Sequence, residues 1–184
     1  MQLIYVVVVL VALLVLWLVV LFNALIALKN RVKEAYADVD VQLKRRYDLI
    51  PNLVETVKGY MKHEQKTLQA VTEARTIAMR AEEAPTRARA EDILTNTLKS
   101  LFAVAENYPD LKASANFSKL QDELSDTENK IQAARRFYNG MVRDFNTKIE
   151  TFPNNMVAQT LTFRQFAYFE VKSQHERENV AVKF

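Results

Sequence analysis

No cysteine occurs in the chain. This excludes a structural disulfide, a lipid-modified cysteine, a thiolate zinc site and a cysteine nucleophile. It does not choose a compartment, because proteins on either side of a membrane can lack cysteine. Glycine is almost absent, with only Gly59 and Gly140, and two isolated glycines cannot build a phosphate-binding loop. The only histidines are His63 and His175. Acidic and basic residues nearly cancel, 22 against 25, so no field of one sign points to nucleic acid. Four prolines and two glycines leave few helix breakers over this length, which predicts long helices.

What is present begins with an unbroken apolar run from Leu3 to Phe22. About 20 such residues match the roughly 30 Å hydrocarbon core of a bilayer. Residues 1–22 are therefore expected to be a transmembrane anchor. A cleaved signal peptide fits less well, because it needs a basic start and a shorter apolar core. Lys29, Arg31 and Lys33 follow the run, and no Lys or Arg precedes it. The positive-inside rule then leaves a short N-terminus outside and puts the following domain in the cytoplasm. Tyr5, Trp17 and Phe22 are candidate interface anchors, with Lys29, Arg31 and Lys33 as headgroup contacts.

The first helix is expected to continue past the bilayer. Leu25, Leu28, Val32, Tyr36, Val39 and Leu43 recur at three or four residues without a breaker. A helix from Leu3 to about Tyr47 would be roughly 65 Å long. Asp48 reads as the N-cap of a second helix, with Pro51 in its first turn. That helix would run from Pro51 to Glu83, with Val54, Val57, Met61, Leu68, Val71 and Ala78 as its stripe and Glu64 and Arg75 on the same face. A third is expected from Thr86 to Glu106. A fourth is expected from Asn116 to Glu150, where Phe117, Leu124, Ile131, Tyr138 and Phe145 make a heptad seam beside Leu120, Thr127, Ala134 and Met141. The fold class is all-α: a transmembrane helix continuous with a long antiparallel, coiled-coil-like, up-and-down bundle of about four long helices, residues 23–170. Residues 171–184 form a charged tail, whose end, Asn179 to Phe184, lacks a helical stripe.

Several stretches resemble the LemA family of bacterial single-span membrane proteins. The most distinctive runs from Asp40 to Lys58 (DVQLKRRYDLIPNLVETVK). Others are Glu106 to Lys112 (ENYPDLK) with Asn116–Phe117 and Leu120–Gln121, Thr127–Asn129 with Arg135–Arg136, Tyr138–Asn139 and Phe145–Asn146, and Phe152–Pro153. The resemblance implies an N-terminal span, a helical-bundle domain in the cytoplasm and no established enzymatic activity. It also implies links to internal membrane compartments such as magnetosomes, and to membrane proteases. The charged tail from Lys172 to Lys183 departs from the family pattern.

Candidate chemistry is thin. His63-Glu64 would need a second histidine four residues after the first to make a zincin pair, and that position is Thr67. The pairs Asp38/Asp40, Glu82/Glu83 and Glu91/Asp92 are too close along a helix to converge on one substrate, so they are read as solvated faces. Ser and Thr have no histidine partner for nucleophilic catalysis. No cofactor, metal or small-molecule substrate is expected. Glu64 and Arg75 fall on an apolar stripe, so they must be paired; Glu128 and Arg135 are the expected partners in a buried polar network, with a ligand pocket as the alternative reading. Lys44, Arg45 and Arg46 lie too far along the helix for headgroup contact and read as a protein interface, or as cations favoured at the end of the first helix. Phe163, Phe166, Tyr168 and Phe169 have no partner in the heptad pattern and read as a satellite core or as a contact with a second copy, a partner protein or lipid.

The expected function is a non-enzymatic, membrane-anchored scaffold that self-assembles and organises or shapes the bilayer. The alternative is a tethered adaptor for another membrane protein such as a protease.

Overall fold

The apolar run is helical from its first turn. In the computed structural model, which describes residues 1–61 and 63–170, α1 spans Gln2–Lys58, α2 Gln65–Arg80, α3 Ala84–Ala105, α4 Pro109–Lys112, α5 Ala115–Glu150 and α6 Asn154–Thr160. No strand occurs among the described residues, and the all-α class expected from the sequence is observed. The tail 171–184, with His175, lies outside the described residues.

The chain divides into two compact units. One holds residues 1–43 and 129–167, so it contains the apolar run. The other holds, among the described residues, 44–128 and 168–170. Helices α1 and α5 contribute to both.

In the first unit α1 and α5 run antiparallel. Tyr36 meets Tyr138 with ring centroids 5.3 Å apart. Lys29, two turns earlier on α1, has its Nζ 5.6 Å from the centre of the Phe163 ring, and Phe163 packs edge-on against Phe145, two turns later on α5. The core is Leu25, Val32, Val39 and Leu43 against Ile131, Tyr138, Val142 and Phe145. On α5 the positions Phe117, Leu124, Ile131, Tyr138 and Phe145 are all buried, whereas of the accompanying position Thr127 is buried, Leu120 and Ala134 are half-buried, and Val142 rather than Met141 enters the core. A straight helix drifts about 20° per heptad against a strict seven-residue repeat, and the buried stripe moves accordingly to Val142, Asn146 and Ile149.

In the second unit α2 and α3 form an antiparallel hairpin. The Tyr108 hydroxyl, just past α3, donates to Glu64 Oε1 at the start of α2 at 3.2 Å, and Arg87 Nε, in the first turn of α3, donates to Ala81 O just past the end of α2 at 2.9 Å. Pro85 sits in the first turn of α3 and Pro109 in that of α4, where the missing N–H costs nothing. Leu111 of α4 is buried.

Two boundaries differ from expectation. The helix expected from Pro51 to Glu83 is divided: α1 ends at Lys58, the amides of Tyr60 and Met61 turn back onto Val57 O at 3.0 and 2.9 Å, and α2 begins at Gln65. Gly59 supplies the weak point, and buried Met61 anchors the connection. Asp48 caps nothing, and Pro51 lies inside α1.

Candidate functional site

An interior proline removes one helical N–H, so the carbonyl four residues earlier loses its donor. For Pro51 that carbonyl is Tyr47 O. Arg75 of α2 takes the vacancy, its Nε donating to Tyr47 O at 2.8 Å. Ile50, Leu53 and Val57 continue the buried stripe beyond the proline, so packing and this one guanidinium carry the helix through. Exchanging Arg75 for Met should therefore cost about 1–3 kcal/mol, the penalty of an orphaned buried acceptor. In a Pro51→Ala background, where residue 51 regains its N–H, the same exchange should cost well under half as much. Chemical denaturation of the four members of this cycle measures the difference.

Around this point lies a cluster of charged side chains in the second unit. Arg46 is 3% exposed and Glu91 of α3 is 1% exposed. Arg46 Nη1 lies 3.2 Å from Glu91 Oε2 and 3.0 Å from Glu128 Oε2 of α5. Its Nη2 donates to Thr95 Oγ1, one turn beyond Glu91 on α3, at 2.8 Å. The Tyr47 hydroxyl donates to the other Glu91 oxygen, Oε1. One guanidinium is thus shared between two carboxylates and a hydroxyl, with Tyr47 closing the second side of Glu91. Burial holds the Glu91 carboxyl above the usual carboxylate range, and Glu128 nearby adds to this, although Tyr47 and Arg46 pull the other way. Burial and the neighbouring Glu91 keep the Tyr47 phenol protonated well beyond the usual tyrosine range.

A carboxyl whose proton is held more tightly in the fold than in the unfolded chain favours folding when protonated. That contribution is complete below the unfolded value of about 4.5. It is lost as pH rises from there through the higher folded value. Glu91→Gln has no proton to lose. The stability of the wild type relative to Glu91→Gln should therefore fall as pH rises across this window, and parallel urea titrations from pH 4 upward would read it.

The sequence placed Glu64, Arg75, Glu128 and Arg135 in one network. The structure gives three of them different partners: Glu64 accepts from Tyr108, Arg75 serves the Tyr47 carbonyl, and Glu128 faces Arg46. Glu91, Thr95 and Tyr47 were missed. Glu91 is a correction, because it was read as part of a solvated pair with Asp92. The signal was available: Ala84, Ala88, Glu91, Leu94, Leu98 and Leu101 make a single helical stripe, and all are buried.

Arg46 is a second correction. Lys44 and Arg45 are exposed, but Arg46 points inward, so the three do not form one surface. Of the two readings of the aromatic segment, its geometry matches the satellite core. Phe145 takes Phe163 and Phe166 edge-on, with centroids 6.2 and 5.2 Å away, and Phe169 is buried. Tyr168 is the exposed member of that group, at 37%. Asn146 holds the same segment by its backbone, donating to Phe166 O and accepting from Phe166 N at 3.0 Å each. The Tyr138 hydroxyl donates to Ala167 O at 2.8 Å. Burial pushes that phenol up to about 12.

Along the apolar run, Tyr5, Trp17 and Phe22 are exposed, as are Arg31 and Lys33 farther on. Lys29 is half-buried over Phe163. Among the described residues, no group of three or more His, Asp or Glu side chains is placed to hold a metal ion. The arrangement around Arg46 uses its hydrogen-bonding groups on one another across three helices. Arg46 and Glu91 are buried in it, while the Glu128 side chain is 27% exposed.

The model of the LemA family matches residues 35–184. Protein LemA of Metamycoplasma hominis is 32% identical over 162 residues, covering 86% of this chain and 72% of that protein. Magnetosome proteins MamQ 1 and MamQ 2 of Paramagnetospirillum magneticum are each 21% identical, covering 82% of this chain. The chain spans 65% of the length of either. The family match begins beyond the apolar run, so the case for a membrane span rests on the run itself: one helix long and apolar enough to cross a membrane, with none of its apolar window buried inside the protein.

Proposed function

The chain belongs to the LemA family, and from that premise we propose that it is a membrane-anchored, non-enzymatic helical scaffold that assembles with further copies of itself to organise a membrane patch. The observation that carries the reading is α1. Its residues from Leu3 to Val20 are exposed and apolar, and the same helix then becomes a core strand of packing at Leu25, Val32 and Val39. Apolar surface of that extent is stable only in hydrocarbon. An anchor continuous with the core it serves transmits position without a flexible linker. In this reading Lys29, Arg31 and Lys33 set the N-terminus outside and the remainder in the bacterial cytoplasm. The lipid bilayer is then the first partner, and the magnetosome relatives, by their names, belong to a membrane compartment.

Self-contacts in this scaffold do not involve Phe163, Phe166 or Phe169, which are engaged internally. They fall to exposed groups such as Lys44, Arg45 and Tyr168. Native mass measurement of the full-length protein in mild detergent tests the proposal. A discrete multi-copy particle is the expected result. A single chain per micelle at all concentrations rejects self-assembly and favours an adaptor for another membrane protein.

A further inference from the structure

We propose that α6 and the turn leading into it form a second membrane-inserting element, lying in the bilayer beside the span. This rests on the membrane-anchored reading above. In the first unit, Val15, Leu18 and Phe22 of α1 face Met156 and Val157 of α6, and Leu161 just after it, across an open apolar groove of about 540 Å³. At 1.5 Å per residue, Val15 to Phe22 covers about 10 Å of the helix axis. The first charge after the run is Lys29. A hydrocarbon span of about 20 residues ending anywhere from Phe22 to Leu28 therefore includes Val15–Phe22. Whatever packs against those residues shares their depth.

The composition of the packed element agrees with that depth. No side chain from residue 151 to residue 163 is charged, and the charges resume immediately outside, at Glu150 and Arg164. Phe152 is 79% exposed and Met156 is 63% exposed. In water they would extend the bare apolar surface of the span. In a bilayer they belong with it, at the boundary where amphipathic helices bury their apolar face by about 5–10 Å. Asn154, Asn155, Gln159 and Thr160 supply the polar groups such a boundary position requires. The next charged groups also fit. Lys29 sits over Phe163, and Arg164 follows it, so two cations lie on the headgroup side of the groove. The occupant of the groove is accordingly lipid acyl chain.

The absence of cysteine makes the test direct. Met156→Cys and Phe152→Cys, each labelled with an environment-sensitive NBD fluorophore, are reconstituted as full-length protein in phosphatidylcholine–phosphatidylglycerol vesicles. Leu10→Cys in the span and Arg136→Cys on the exposed face of α5 serve as references. The expected result is blue-shifted emission at positions 152 and 156, quenched more strongly by lipids with a doxyl group near the glycerol than by lipids with one at the chain end. Water-like emission at 152 and 156 while Leu10→Cys is quenched overturns the proposal and leaves the span intact. Blue-shifted emission that no doxyl lipid quenches also overturns it, because protein then covers α6. Water-like emission at Leu10→Cys overturns the membrane-anchored reading itself, and this proposal with it.

Discussion

Replacing Arg46 with methionine is expected to lower the unfolding free energy by about 3–5 kcal/mol at neutral pH, the range for removing one partner of a buried ion pair. Methionine keeps much of the volume and the flexible stem, so the loss reports the guanidinium. Without it, Glu91 and Glu128 face each other across the space Arg46 occupied, and Thr95 loses its donor. The protein has one escape, which is to protonate a carboxylate. The penalty should therefore shrink as pH falls toward 5, because acid neutralises what the cation no longer compensates. Combining Arg46→Met with Glu91→Leu and Glu128→Leu should recover most of the loss, since apolar replacement of a whole buried charge cluster is commonly neutral or stabilising. Urea unfolding of wild type, single and triple variants at two pH values gives every term. A single-variant loss below about 1 kcal/mol would place Arg46 among ordinary surface pairs and remove the cluster as the register lock of the second unit.

That outcome bears on what the sequence could show. The span, the stripe Leu25–Val32–Val39–Leu43 and the α5 seam were legible because hydrophobic periodicity is a local signal. Pro85 and Pro109 were legible because first-turn proline is a local rule. Pro51 obeys no local rule. Its place inside α1 depends on Arg75, 24 positions on, and on burial of Ile50 and Leu53 by helices the sequence cannot position. The aromatic residues after α6 left two readings open for a similar reason. Their partners are Phe145 and the amide of Asn146, reached only after the chain has turned back. Arg46 and Glu91 were each visible as charges on a stripe, and periodicity alone does not say which stripe charges are paired. Register comes from the whole fold.

Phe145→Ala is expected to be the most damaging single change in the first unit, at about 3–5 kcal/mol for a fully buried phenylalanine. The side chain is completely buried, and it is the ring against which both Phe163 and Phe166 stand edge-on, a geometry that adds to the burial term. Losing it leaves a cavity and also removes the floor under the extended chain that follows α6. Asn146→Ala is the informative comparison. It keeps the ring but removes two hydrogen bonds to Phe166, each of which contributes about 0.5–1.5 kcal/mol net. The two variants should diverge in hydrogen exchange. In Asn146→Ala the Phe166 amide loses its acceptor and should exchange fast while the α5 amides stay protected. In Phe145→Ala protection should fall along both segments. If Phe145→Ala instead loosened only residues 161–167, the α1–α5 packing of this unit would be self-sufficient, and the aromatic segment would be a strap laid on a finished core. The size of the global loss separates these cases, because a strap released locally returns its binding energy alone, whereas a core opened at Phe145 also forfeits the buried packing of α1 against α5 in this unit.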